Sequence, residues 1–141
     1  MTTPIRVLQV EDNEADAFLT RETMERSKLT VDFTTVIDGD AARAYLLREP
    51  PYEEAPRPDL LLLDLNLPGM NGQQLLKEIR QHDHLKTLPV VVLTSSDAER
   101  DILMSYELGA NCYVTKPVGL EAFEKIVRSI ECFWFTVVRL P

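Results

Sequence analysis

Basic residues are in short supply: 15 Lys and Arg stand against 23 Asp and Glu, giving the 141-residue chain a net charge of −8. That deficit excludes broad electrostatic binding to nucleic acid, which needs a basic face. It also excludes a polybasic anchor at a membrane surface. Long apolar runs are missing. The longest, Leu60–Leu63, is far too short to span a bilayer, and Met1–Ile5 lacks the apolar core of a secretory signal. There are only two cysteines, Cys112 and Cys132, too few for a disulfide framework. One falls in a predicted strand and the other in a predicted helix, which reads as two buried free thiols in a reducing cytoplasm. No internal repeat or low-complexity tract is present. Nor does a glycine-rich phosphate loop follow the first apolar run. Glu11-Asp12-Asn13-Glu14 stands there and would repel phosphate in the absence of a metal, which disfavours a flavin or nucleotide carrier.

What is present is a globular composition, 45% hydrophobic and 27% charged, in a chain sized for one domain with an adequate core. Short apolar runs alternate with amphipathic stretches. Ile5–Val10, Val31–Val36, Leu60–Leu63, Val90–Leu93 and Cys112–Val114 read as strands, and continuous apolar strands separated by helices indicate a parallel sheet covered on both faces. The helices carry local start and stop signals. Asn13 is placed to cap the first, with Asp16 three residues on. The inward face of that helix is expected to use Leu19, Thr23 and Met24. The third helix follows the turn Pro68–Gly72 and should pack through Leu75, Leu76 and Ile79. Ser96 and Glu99 form a capping box for the fourth, and Gly109 is a left-handed stop for it. Leu120, Phe123, Ile126, Val127 and Ile130 recur at helical spacing in a fifth. Between the second helix and third strand lies the proline-rich stretch 48–58, read as a surface insertion whose prolines prevent the helix from continuing. Five strand–helix units make a small doubly wound α/β domain, with right-handed crossovers placing helices on both faces.

Four positions directly follow apolar runs: the acid pair Glu11 and Asp12, then Asp64, then Thr94, then Lys116. In a parallel sheet the C-terminal ends of all strands face one way, and ligands sit in the crevice outside them. The residues thus converge as a carboxylate cluster with one hydroxyl and one ammonium, a set suited to a divalent cation and a phosphoryl group. Three carboxylates at close range repel one another unless a proton or a cation neutralises one. Mg²⁺ fits, since it keeps several waters and uses few carboxylates. Direct contacts are expected from Asp12, Asp64 and the backbone carbonyl of Asn66, with Glu11 acting through water. Asp64 is the natural nucleophile, able to form an aspartyl phosphate. Lys116 would offset charge on the transferring group, and Thr94 would donate to a phosphoryl oxygen. Pro117 permits either isomer of the preceding bond, and the cis form could aim Lys116 into the pocket. Taken singly, an acid after a strand is usually a cap or a solvated charge, and a lysine usually lies on the surface. Their joint order, each after a strand of the proper rank, makes chance a poor account.

With these residues in view, the chain resembles the receiver domain of two-component response regulators. The matching segments are Val7–Asp12, Leu61–Gly72, Val90–Ser95 and Tyr113–Pro117, spread over nearly the whole chain. The resemblance implies a flavodoxin-like (βα)5 fold with a five-stranded parallel sheet in the order 2-1-3-4-5. It implies that Asp64 accepts phosphate from a histidine kinase while Glu11 and Asp12 bind Mg²⁺. It implies too that Lys116 contacts the phosphoryl group and that Thr94 and Tyr113 form a switch. Phosphorylation would draw Thr94 inward and open space for Tyr113, biasing the surface of helix four, strand five and helix five. In receivers the positions of Asn66 and Ser96 tune hydrolysis of the aspartyl phosphate. A narrower resemblance, carried by the proline-rich insertion, Ser105–Leu108 and the tail Phe133–Pro141, is to regulators paired with bacterial and cyanobacterial phytochrome kinases. Light would then be the incoming signal.

The expected organisation is a single receiver domain over 1–141 with a hydrophobic C-terminal extension at about 133–141. Phe133, Trp134, Phe135, Val137 and Val138 form more apolar surface than a soluble monomer usually exposes. A homodimer through helix four, strand five, helix five and this tail is expected, against the alternative of a tail folded back on its own domain. The protein is read as a phosphoacceptor, not an enzyme, or alternatively as an intermediate in a phosphorelay. A phosphatase with an aspartyl nucleophile would need an acid two residues after Asp64, where Asn66 stands and cannot do acid–base work. A degenerate receiver serving only as a scaffold is disfavoured because every key residue is present.

Overall fold

The computed structural model describes residues 4–26, 31–94, 99–110 and 112–115. The elements run β1 (Ile5–Val10), α1 (Glu14–Glu25), β2 (Val31–Val36), α2 (Gly39–Leu47), β3 (Leu60–Leu63), α3 (Gly72–Ile79), a 3₁₀ turn (Asp83–Leu85), β4 (Val90–Thr94), α4 (Glu99–Glu107) and β5 (Cys112–Thr115). All four strand pairings are parallel, and the order is β2-β1-β3-β4-β5, as the family resemblance implies. Ser96, Lys116, Pro117, the fifth helix and the tail lie outside the described residues. No helix among the described residues is long and apolar enough to cross a membrane.

Side chains along a strand alternate between faces. In β3 this puts Leu61 and Leu63 into one core with Leu8, Val10, Val92, Leu75, Leu76 and Ile79, and Leu60 and Leu62 into a second with Val7, Val91, Leu93 and Met24. All four leucines of β3 are buried, which is why this strand shows no polar alternation. Each such side chain contributes about 1.5–3 kcal/mol of burial.

The cap predicted at Asn13 and the stop predicted at Gly109 both form. Asn13 accepts a hydrogen bond from the Asp16 N–H at 3.0 Å, and Gly109 takes φ +102° behind α4. There the Ala110 N–H reaches the Ser105 carbonyl and the Gly109 N–H the Tyr106 carbonyl, which ends the helix in a paired left-handed stop. Asn71 and Gln74 add a reciprocal capping box at the start of α3.

Two expectations change. The buried face of α1 is Thr20, Thr23 and Met24, whereas Leu19 is 53% exposed beside Phe18 at 65%. The sheet under this side is itself partly polar: Gln9 of β1, on the same face as Val7, is buried and accepts a hydrogen bond from Thr35 Oγ1 at 3.0 Å. Burying a threonine here costs little, because Thr23 Oγ1 donates to the Leu19 carbonyl at 2.9 Å. The second change concerns the end of α2. The helix stops before the prolines, on Arg48 in the left-handed conformation (φ 56°, ψ 38°), with the Glu49 N–H bonded to the Ala44 carbonyl at 2.8 Å. The insertion that follows is anchored: Tyr52 and Ala55 pack against the larger core, and the Tyr52 ring lies 5.4 Å from that of Tyr45.

Candidate functional site

β1 and β3 are neighbours, with Val10 paired to Leu63 at their C-terminal ends. Backbone bonding continues one residue past each strand. The Glu11 N–H donates to the Val36 carbonyl at 3.0 Å, and the Asp64 N–H donates to the Val10 carbonyl at 3.1 Å. The acids are therefore held on extended, ladder-paired backbone. Glu11, Asp12 and Asp64 each offer a carboxylate oxygen within 4.8 Å of the others. Glu11 and Asp64 are buried, at 4% and 6% exposure, while Asp12 is exposed. Two acids make the floor and one the rim.

The carboxylates are also oriented. The Asn66 N–H donates to Asp64 Oδ1 at 3.0 Å, and the Asn13 N–H donates to Glu11 Oε2 at 3.3 Å. Three negative groups this close in a region of low dielectric are mutually repulsive and favour a cation among them. Their donor atoms are all hard oxygens, the set that suits Mg²⁺, Mn²⁺ or Ca²⁺ over softer metals. The residues present thus fit a divalent cation.

The loop after β3 is fastened from behind. The Gly72 N–H bonds to the Leu65 carbonyl at 3.0 Å. A Cβ at Gly72 would lie 2.5 Å from the Asp64 carbonyl oxygen, so only glycine lets α3 start this close to the loop after β3. Gly39 plays a similar part, since a Cβ there would run into the Met70 carbonyl of the same loop. Sequence reasoning marks Gly72 as part of a turn, but the close approach needs the fold. It misses Gln73 altogether. Gln73 Nε2 donates to Asp101 Oδ1 of α4 at 3.3 Å, across a sequence gap that carries no local signal.

Of the other expected site residues, Thr94 closes β4 in register with Thr115, and Tyr113 pairs with Val92 two residues earlier. Tyr113 is half-buried against the larger core. Asn66 is exposed at the mouth of the pocket. Glu11, Asp12, Asp64 and Asn66 are brought together, β4 ends nearby, and Lys116 lies outside the described residues.

Comparison with known proteins gives a consistent result. Residues 7–128 match the response regulator receiver domain. Response regulator Rcp1 of Synechocystis is 46% identical over 138 residues, covering 98% of this chain and 94% of Rcp1. Among solved structures, the phosphorylated cyanobacterial phytochrome response regulator RcpA is 45% identical with a TM-score of 0.86, covering 99% of both chains. The Mn²⁺-bound form of Rcp1 is 47% identical with a TM-score of 0.80, covering 98% of this chain and 99% of that one.

Proposed function

Because the chain belongs to the response regulator receiver family, we propose that Asp64 is the residue on which it accepts a phosphoryl group, delivered by a phytochrome-type histidine kinase. One observation carries the assignment: Asp64 is a buried carboxylate at the end of the central strand with Glu11 and Asp12 within 4.8 Å. In the transfer, an Asp64 carboxylate oxygen forms the new bond to phosphorus. The phosphorus–nitrogen bond of the phosphohistidine breaks, and the departing imidazole keeps the electron pair and gains a proton from solvent. Glu11, Asp12, Asp64 and the Asn66 carbonyl would hold Mg²⁺, which when bound neutralises charge on the transferring group. The Asn66 N–H keeps the Asp64 carboxylate aligned. Lys116 and Thr94 would meet the phosphoryl oxygens from the next two strand ends, and Thr94 with Tyr113 would carry the switch.

The signalling surfaces follow from exposure. A phosphohistidine must reach the rim of the pocket, and Phe18 starts an exposed apolar pair with Leu19 only about 6 Å of helix rise from the start of α1. We assign this pair to kinase docking. Leu103, Met104 and Tyr106 are exposed on α4, which supports homodimerisation through α4, β5, the fifth helix expected from the sequence and residues 133–141. The similarity to Rcp1 and RcpA supports a light-signalling pathway; transfer onward in a phosphorelay is the second reading. A phosphatase is disfavoured by Asn66.

Intact mass after incubation with Mg²⁺ and acetyl phosphate, beside Asp64→Asn, tests the assignment. One added phosphoryl group, absent in the variant and with chelator, is the expected result. An equal gain in Asp64→Asn would overturn it.

A further inference from the structure

The segment between β2 and α2 touches the backbone on both sides of the acid cluster. The Val36 carbonyl accepts the Glu11 N–H at 3.0 Å. Further along, buried Gly39 lies against the Met70 carbonyl of the loop after β3. Gly39 opens α2, and Asp38 caps that first turn, its Oδ1 accepting the Ala41 N–H at 2.6 Å. Asp40 reaches the same loop. Its Oδ2 lies 2.5 Å from where a Cβ would stand on Gly69, a residue with φ +69°.

In this contact α2 is the firmer side. Ala42, Tyr45 and Leu46 are buried in the larger core. Arg43 donates from Nε to Glu78 Oε1 of α3 at 3.0 Å and from Nη1 to Glu49 Oε1 at 2.7 Å. The loop is the softer side. The hydrogen bond from the Gly72 N–H to the Leu65 carbonyl closes it into a ring. Leu65 and Leu67 hold its inner side in the larger core, while Asn66, Pro68 and Gly69 are exposed. A closed ring this short shares any displacement of Met70 among its exposed members, and Asn66 is one of them.

We propose that the first turn of α2 is the back wall of the pocket, and that Asp38 and Gly39 are positioning residues that set the place of Asn66. The inference rests on the reading of Asp64 as phosphoryl acceptor and of the Asn66 carbonyl as a cation ligand. Asp38 and Gly39 act through the loop. The capped turn abuts Met70, Met70 fixes the curve of the ring, and the ring keeps the Asn66 N–H on Asp64 Oδ1 at 3.0 Å. Small misplacements of such groups are costly to binding and transfer alike.

The test uses the full chain, isotope-labelled and free of metal, to read the Asn66 amide resonance, and then calorimetry with Mg²⁺. Gly39→Ala adds the methyl group that the Met70 carbonyl excludes. It should move the Asn66 amide and weaken Mg²⁺ binding about three- to tenfold, the range of one misplaced hydrogen-bonding group. Asp38→Ala removes the cap without adding a clash, should act in the same direction, and judges the wall if Gly39→Ala does not fold. Asp38→Asn loses the same charge but keeps a capping oxygen. It should return the Asn66 amide to its wild-type position and bind Mg²⁺ more tightly than Asp38→Ala. Ala44→Gly weakens the same helix away from the loop and should leave both readouts as in the wild type. An unmoved Asn66 amide or an unchanged affinity in Gly39→Ala and Asp38→Ala overturns the wall. So does equal behaviour of Asp38→Asn and Asp38→Ala, or an effect of Ala44→Gly as large as theirs. If the wild type binds no Mg²⁺, the metal reading fails while the amide resonances still judge the wall.

Discussion

The α-carbon of Gly72 sits so close to Asp64 that a single added methyl group would come within 2.5 Å of the Asp64 carbonyl oxygen. The helix that follows this loop starts in contact with the loop's backbone. Gly72→Ala must therefore displace one or the other. The expected loss is about 1–3 kcal/mol of stability by urea denaturation, the usual range for overpacking. A slower gain of phosphate from acetyl phosphate should accompany it, since the Asp64 carboxylate moves with its backbone.

Asp12 is the rim acid of the cluster. Asp12→Asn removes one negative charge at contact range from the proposed cation while leaving the buried pair in place. Affinity for Mg²⁺ by calorimetry should fall by at least about tenfold, as a unit charge at about 4 Å is worth several kcal/mol in a partly screened site. Unaltered affinity would move the metal away from Asp12.

Phe18 and Leu19 face solvent on α1. Replacing both by alanine should leave acetyl phosphate labelling of Asp64 at the wild-type rate and slow transfer from a phosphorylated histidine kinase roughly tenfold or more, because truncating anchor residues commonly costs more than about 1 kcal/mol each. Equal rates from both donors would remove this helix from the docking surface.

Ser105 is fully buried on α4, and its hydroxyl finds no hydrogen-bond partner among the described residues. A buried polar group left unsatisfied costs about 1–3 kcal/mol. Ser105→Ala should raise the urea midpoint by about 1 kcal/mol equivalent without changing the slope. A lower midpoint would mean that the hydroxyl is satisfied in solution.

The strands and three acids of the pocket were readable because each signal is local. An apolar run followed at once by an acid puts that acid at a strand end, and parallel topology gathers the ends. Asn13 and Gly109 were readable for the same reason, since a cap or stop is decided within a few residues. The inward face of α1 was not. Leucine is the more apolar choice at position 19, but the surface below includes buried Gln9 bonded to Thr35, which only strand pairing assembles. Arg48 gives no hint of a left-handed conformation, because long polar residues rarely adopt it. Gln73 and Asp101 are separated along the chain and meet through the packing of two helices, which no spacing rule encodes.

The four leucines of β3 are divided between two cores, so the strand cannot be released without opening both sides of the sheet at once. In the hierarchy of local openings such a segment belongs to the last unit to let go, with amide exchange close to that of global unfolding. Asp64 is attached to its end. The proposed chemistry is thereby mounted on the slowest-opening part of the molecule, while the helices proposed to meet partners can loosen on faster timescales without dislodging it.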